Sequence, residues 1–372
     1  MTTTRSSSPA SSASAASSPT SLAPSSTDSA IEATARAVAR SRNRRAARRR
    51  LTMLVLVALI VVVFVFSLMY GQTFYGIDQV IAVVLGQDVQ GATFTVGRLR
   101  LPRAVLAILA GLAFGLAGVT FQTMLRNPLA SPDIIGISSG ASAAAAFGIV
   151  TLSLGASEVS FFAIFVGLGV AILIYFLSFK GGVTGTRLIL IGIGIAAMLD
   201  SITNYVLSQA AQWDLQEALR WLNGSLNGAS WNAILPAAIA IAVLVPVLLA
   251  QSRNLSATQL GDDTAAALGV RVNRTRLIVI VTAVGVLSFA TAAAGPIAFV
   301  AFLAGPIAAR LFGGGSLLIP AGLVGALLVL VADLVGQFLL GTRYPVGVVT
   351  GVLGAPFLIY LIIRTNRAGG SL

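Results

Sequence analysis

Residues Gln259–Val270 read QLGDDTAAALGV and stand between two runs that are almost entirely apolar. The stretch is too short and too polar to cross a bilayer, which takes about 20 apolar residues. Its pattern is nevertheless that of a helix. Asp262 or Asp263 can accept the free N–H groups of a first turn and complement its positive dipole end. Ala265 to Leu268 propagate well, and Gly269 suits the left-handed position that closes a helix. A small, terminated helix between long apolar runs points to a chain that crosses a membrane and keeps one short helix outside it.

The composition agrees. Of 372 residues, 56 % are hydrophobic and only 10 % charged, against about a quarter charged in a soluble domain. A charge at the hydrocarbon centre costs roughly 2.5–3.5 kcal/mol on the insertion scale, so lipid selects for that deficit. There is neither cysteine nor histidine, which excludes disulfides, thiolate or histidine metal sites and Ser-His-Asp catalysis. The single lysine, Lys180, lies in no GxxxxGK[ST] loop. The chain therefore lacks a P-loop with which to bind ATP itself.

Residues 1–50 hold nine arginines against Asp28 and Glu32. They begin in a Ser/Ala/Pro/Thr mixture that reads as disordered. They end in RAVARSRNRRAARRR, which reads as a topology anchor drawn to anionic head groups. With no aromatic residues interleaved to stack on bases, nucleic-acid binding is not indicated. Apolar runs follow at about 51–70, 104–123, 134–152, 161–179, 188–207, 233–250, 277–295, 298–312, 317–340 and 347–363. Ten spans put both termini on one side. With the basic tail inside, nineteen of the 24 cationic residues fall inside, and Arg98, Arg100, Arg103, Arg220 and Arg343 fall outside. That is the asymmetry the positive-inside rule requires.

The expected fold is therefore all-α and polytopic, with ten transmembrane helices and both termini cytoplasmic. A disordered tail occupies 1–50, the membrane domain 51–363 with an inner loop at 251–276, and a short cytoplasmic tail 364–372. The helix in the inner loop could lie on lipid or fill a groove in another protein. Its face of alanine and acid lacks the broad apolar side and basic flanks of a lipid-bound helix, and so suits a groove.

Further stretches carry a resemblance. RLRLPR stands at 98–103, GLAFGLAGVTFQTMLRNPLASPDIIGISSGA at 111–141 and TRLILIGIGIA at 186–196. WLNGSL follows at 221–226, LGDDTAAALGV at 260–270, GPIAFVAFLAGPIAARL at 295–311 and YPVGVVTGVLGAPFLIYLI at 344–362. In these motifs and their order, over about 51–363, the chain resembles the FecCD-like permeases, membrane subunits of ABC importers for iron-siderophores and cobalamin.

The resemblance implies that Gly261, Asp262, Asp263, Ala266, Leu268 and Gly269 form a coupling helix that enters a cleft on a separate ATPase subunit. ATP and Mg would sit there, with no cofactor on this chain. It also implies a second permease subunit, identical or similar, a substrate-binding protein on the outer side and a plasma-membrane location.

Thr184, Gly185 and Thr186 make either an ordinary turn or, by resemblance, a cytoplasmic gate with the fifth span lining the path. Arg100 and Arg103 either snorkel to lipid phosphates or, by resemblance, pair with glutamates of the binding protein. Many relatives have an arginine four residues after the position of Asp333; here it is Gln337, and Arg343 is the stand-in. Arg126, Asn127, Pro128, Gly136 and Gly140 read as a structural helix break. Gly111 to Gly118, Gly347, Gly351 and Gly354 read as close helix packing, and Gly295, Pro296 and Pro345 as structural parts of their motifs.

GPIAAR at 305–310, where many relatives have Pro-His or Pro-Gln before Ile-Ala-Arg, looks closest to the branch that moves catecholate siderophores. Cobalamin or haem on the same machinery is an alternative cargo. A proton-coupled secondary transporter using Asp200 and Asp333 is the alternative of another class.

Overall fold

The computed structural model describes residues 26–133, 136–178 and 185–369. It separates into a unit ending at Leu51 and a unit beginning at Thr52. Among the described residues, regular structure is helical throughout. Helix α1 covers Ser26–Met69, α2 Ile77–Val84 and α3 Leu101–Leu125, the last entered through a π-helical segment, Thr93–Arg100. Then come α4 Ile137–Val150, α5 Ala156–Ser178, α6 Gly185–Ser208, α7 Gln212–Leu222 and α8 Trp231–Ala250. The chain closes with α9 Ser252–Thr258, α10 Asp262–Ala267, α11 Val272–Ala294, α12 Val300–Phe312, α13 Leu318–Phe338 and α14 Val346–Gly369.

A helix stands at each of the ten apolar runs. Among the described residues, seven helices are long and apolar enough to cross a membrane; α4, α12 and the apolar part of α14 are shorter. The 14 residues of α4 rise about 21 Å, less than the roughly 30 Å of a hydrocarbon core. Proline interrupts α12 at Pro306 and α14 at Pro356, which membrane helices tolerate when neighbours satisfy the freed backbone groups.

One expectation changes. Residues 26–50 belong to α1 instead of being disordered. Beyond Pro24 the chain has no proline until Pro102 and is rich in alanine and arginine, both strong helix formers. Residues 1–25 lie outside the described residues.

The outer surface of the larger unit is apolar. Leu235, Ile239 and Val243 form an exposed stripe on α8, and Phe161, Phe165 and Phe176 stand out from α5. Water would not tolerate so continuous an apolar cover; lipid does.

At the centre stands α3, most of whose side chains are buried. It packs against α13, α11, α12 and α8. A hydrophobic drive is weak inside lipid, so close van der Waals contact through small residues has to hold such helices together. The glycines of GLAFGLAG provide it. A Cβ on Gly111 would overlap the backbone of Gly325, and one on Gly325 the backbone of Gly111. Gly115 meets Ala321 of α13 in the same way, and Gly118 meets Ala301 of α12. In α14, Gly347 and Gly354 are similarly packed, against Asn223 and the ring of Phe299, whereas Gly351 faces open space. The packing expectation therefore fails at Gly351, where α14 has no close neighbour.

These contacts predict a sharp contrast. Gly118→Leu should destabilise the fold by about 3 kcal/mol or more, because a rigid backbone blocks the added atoms. Gly351→Ala should be neutral or stabilise by up to about 1 kcal/mol. Thermal unfolding in detergent, followed by size-exclusion chromatography, checks both.

Candidate functional site

Polar chemistry collects at the two ends of α3. At its start, Arg103 Nε donates to Asp333 Oδ2 at 2.8 Å and Nη2 to Oδ1 at 2.7 Å, a bidentate pair to α13. The third nitrogen, Nη1, donates to Asn227 Oδ1 in the segment before α8 at 2.5 Å. The Gln337 amide lies against the same guanidinium, and with its oxygen facing Arg103 it would accept from it as well. Both charged side chains are largely shielded, at 19 % and 12 % exposure. One arginine thus ties α3, α13 and the 223–229 segment together.

Arg100 closes a second junction nearby. Its Nη1 donates to the carbonyls of Leu68 and Met69, each at 2.9 Å, and Nη2 to that of Thr73 at 2.7 Å. A cation on the last carbonyls of α1 also suits the negative end of that helix dipole. The guanidinium carbon lies 5.2 Å from the centre of the Tyr75 ring. Beside these groups opens a cavity of about 410 Å³ whose walls include Tyr70, Arg100, Gln337 and Arg343. Arg343 itself is exposed, as is Arg98.

The structure therefore turns Arg100 and Arg103 inward. Both guanidinia are committed to the chain's own carbonyls and to Asp333. The physical reason is local: an arginine at a membrane edge takes whichever carbonyl or carboxylate lies within reach.

At the other end, Arg126 follows the last residue of α3 with φ 52°. Its Nε donates to the Thr258 carbonyl at 2.9 Å, and its Nη2 to Asp262 Oδ1 at 2.6 Å. Arg276, where α11 begins, donates from Nη2 to Asp262 Oδ2 at 2.9 Å and to Oδ1 at 3.1 Å. Asp262 thus holds two arginines from two different helices.

The following motif makes a turn. Asn127 Oδ1 accepts from the Leu129 N–H at 2.9 Å, and Pro128 contributes no donor to continue α3. Burial pushes the Asp133 carboxyl above the ordinary carboxylate range, against the lowering effect of hydrogen bonds from Ser138 and Ser131. Gly136 lies where a Cβ would press on Gly192 and Ala196 of α6, and Gly140 where one would press on Val170 of α5.

Helix α10 starts differently from the simplest sequence expectation. Its N-cap is Gly261 at φ 112°, with no side-chain cap, so neither aspartate caps it. Glycine alone takes that backbone angle readily, and the Asp262 carboxylate is engaged by arginine. Both aspartates still lie in the first turn, at the positive end of the dipole. At its end Gly269 N–H donates to Ala266 O at 2.9 Å and Val270 N–H to Ala265 O at 3.0 Å, the paired bonds of a Schellman closure. Ala265 is buried; Asp263, Ala266 and Gly269 are exposed. Leu260 and Leu268 are 66 % and 64 % exposed.

Three distant motifs meet near α7. Ser225 N–H donates to Ala294 O at 2.8 Å, and Gly347 N–H to Gly224 O at 3.2 Å. A Cβ on Gly224 would overlap Pro296, and one on Gly295 would overlap Trp221 and Gly224. Pro345 O accepts from Val348 at 3.1 Å as α14 starts. Of the gate residues, Gly185 and Thr186 open α6, while Thr184 lies outside the described residues. Asp200 is exposed on α6, as are Ser201 and Asn204.

Residues 59–364 match the FecCD transport family. The chain belongs to that family. It is 38 % identical over 305 residues to the ferric enterobactin transport system permease protein FepG of Escherichia coli, covering 82 % of this chain and 92 % of FepG. It is also 38 % identical to the achromobactin transport system permease protein CbrC of Dickeya dadantii, over 82 % of this chain and 89 % of CbrC. Among solved structures, a metal-chelate type ABC transporter in an inward-facing conformation aligns with TM-score 0.75 and 27 % identity, over 84 % of this chain and 98 % of its own. As a FecCD-family chain, this protein is a transport subunit and not itself a catalyst.

Sequence reasoning singled out Arg103, Arg126 and Asp262 separately and missed their partners. Asp333 is 230 positions from Arg103, and Asp262 is 136 from Arg126. No local periodicity encodes such pairings.

The shielded Arg103–Asp333 pair yields a double-variant test. Arg103→Met or Asp333→Leu alone should each destabilise by about 3 kcal/mol, since each leaves a buried charge without its partner. The double variant should recover to within about 1 kcal/mol of the native chain. Unfolding midpoints of the four proteins in one detergent measure the coupling.

Proposed function

We propose that the chain is the membrane-spanning subunit of an ABC importer that carries a ferric siderophore inward. Its ten helices cross the plasma membrane with both termini in the cytoplasm, and a separate subunit binds ATP and Mg and hydrolyses the ATP. The observation that carries this is α10: a short helix closed by glycine at both ends, with Asp263, Ala266 and Leu268 turned outward. A small-faced helix with one protruding leucine fits a groove on another protein. The named relatives, permeases for ferric enterobactin and achromobactin, support iron chelates as the cargo over cobalamin or haem.

Other surfaces take their roles from this assignment. Helix α6, with exposed Asp200, Ser201 and Asn204, lines the path against a second permease subunit, its opening Gly185–Thr186 turn at the cytoplasmic gate. At the outer end, Arg343 and Arg98 offer exposed cations to the carboxylates of a substrate-binding protein, while Arg100 and Arg103 hold the platform beneath them. A proton-driven carrier finds less support, because Asp333 is neutralised by Arg103.

Leu268→Asp should reduce the ATPase subunit that co-purifies with the tagged permease at least about tenfold, as loss of a central apolar anchor does. A full complement of ATPase together with normal iron-55 uptake would remove the docking assignment. Arg343→Glu should lower binding-protein-dependent uptake about tenfold at low salt and less at high salt.

A further inference from the structure

We propose that Asp262 is the pin through which movement of α10 reaches the membrane helices, and not part of the surface that α10 offers to a partner. The proposal rests on α10 being the ATPase-docking helix.

Helix α10 has little else to hold it. It has six residues, and the glycines at its two ends, Gly261 and Gly269, take φ of 112° and 84°. A Cβ on Gly269 would meet open space, and Ala265 is the one fully buried side chain of the helix. Glycine joints of this kind let a short segment swing as a unit. Without a fastening, a push on Leu268 would turn α10 about its joints and go no further.

The Asp262 carboxylate supplies that fastening, and does so twice. Arg126 reaches it from the end of α3, and Arg276 from the start of α11. Arg126 also holds the Thr258 carbonyl, so the end of α9 and the start of α10 move with the same guanidinium. The Arg276 side chain is only 13 % exposed and is well fixed. Helix α3 in turn meets α13 and α12 backbone to backbone through Gly111, Gly115 and Gly118. A displacement at its end cannot be absorbed by rotamer changes along those contacts. Asp263, one residue on, points outward, so the two aspartates divide the work: Asp263 faces the partner and Asp262 faces the permease.

The test uses the complete importer in proteoliposomes, with iron-55 chelated by a catecholate, hydroxamate or carboxylate siderophore as probe. Asp262→Asn, which keeps the shape and removes the charge, should retain the ATPase subunit and its hydrolysis to within about twofold, while iron transported per ATP falls about tenfold. Asp262→Glu should recover most of that ratio, since it restores the charge.

A second measurement is independent of transport. The chain has no cysteine, so spin labels at Ala267→Cys and Thr123→Cys report the α10 to α3 distance without background. That distance should stay fixed between nucleotide states in the native chain and spread in Asp262→Asn.

Iron transported per ATP within about twofold of native, or an unchanged label distance, in Asp262→Asn would overturn the pin. So would loss of the ATPase subunit from Asp262→Asn while Leu268→Asp keeps it, since the carboxylate would then belong to the docking face. Retention of the ATPase by Leu268→Asp with normal uptake overturns the docking assignment itself, and with it the role given to Asp262.

Discussion

The contact between α3 and α13 is the constraint on which the rest of the structure depends. Two helices can approach until backbone meets backbone only where neither carries a side chain, and Gly111 against Gly325 does this reciprocally. In lipid, where apolar surface gains little by leaving one apolar neighbour for another, such close approach is a main source of helix association. Once α3 is fixed against α13, and against α12 through Gly118, its two ends are fixed as well. Both ends carry an arginine. The polar junctions at 103 and 126 are therefore held about 35 Å apart by a rod of known rise.

Each arginine solves the problem created by its position. A guanidinium at a membrane edge keeps its charge and requires acceptors. Arg103 finds Asp333 and Asn227; Arg126 finds Asp262 and the Thr258 carbonyl. The two pairs differ in exposure, and that difference separates their roles. The Arg103–Asp333 pair is shielded and locks elements that have no reason to part. The Arg126–Asp262 pair is more than two-fifths exposed on both sides. Water and salt weaken such a pair, and the second arginine on the same carboxylate, Arg276, only 13 % exposed, offsets that weakness.

Much of the fold was legible in the sequence because lipid imposes one-dimensional rules. The ten apolar runs mark helices, since a backbone buried in hydrocarbon must satisfy its own hydrogen bonds locally. Gly269 predicts the closure of α10 for an equally local reason. The helicity of residues 26–50 was missed: a tail poor in large apolar residues read as disorder, whereas alanine and arginine in a run without proline favour a helix continuous with the span beyond. Gly351 looks like Gly347 and Gly354 on paper. Whether a glycine is packed depends on which helix lies opposite, and Gly351 has none within reach.

The site was legible residue by residue but not as an arrangement. Asp262 and Asp263 are adjacent and chemically identical, so no propensity or spacing separates them. Only the turn of a helix does, placing one toward two arginines and leaving the other in the open. The same holds for the arginines at the far end. Arg100, Arg103 and Arg343 are three cations in polar segments until the fold gives the first two acceptors and leaves the third exposed. At Gln337 the substitution becomes intelligible on the same terms. An arginine one turn from Asp333 would bring a second cation beside the Arg103 guanidinium, whereas a glutamine offers it an oxygen. Arg343, on the wall of the same cavity, stays exposed.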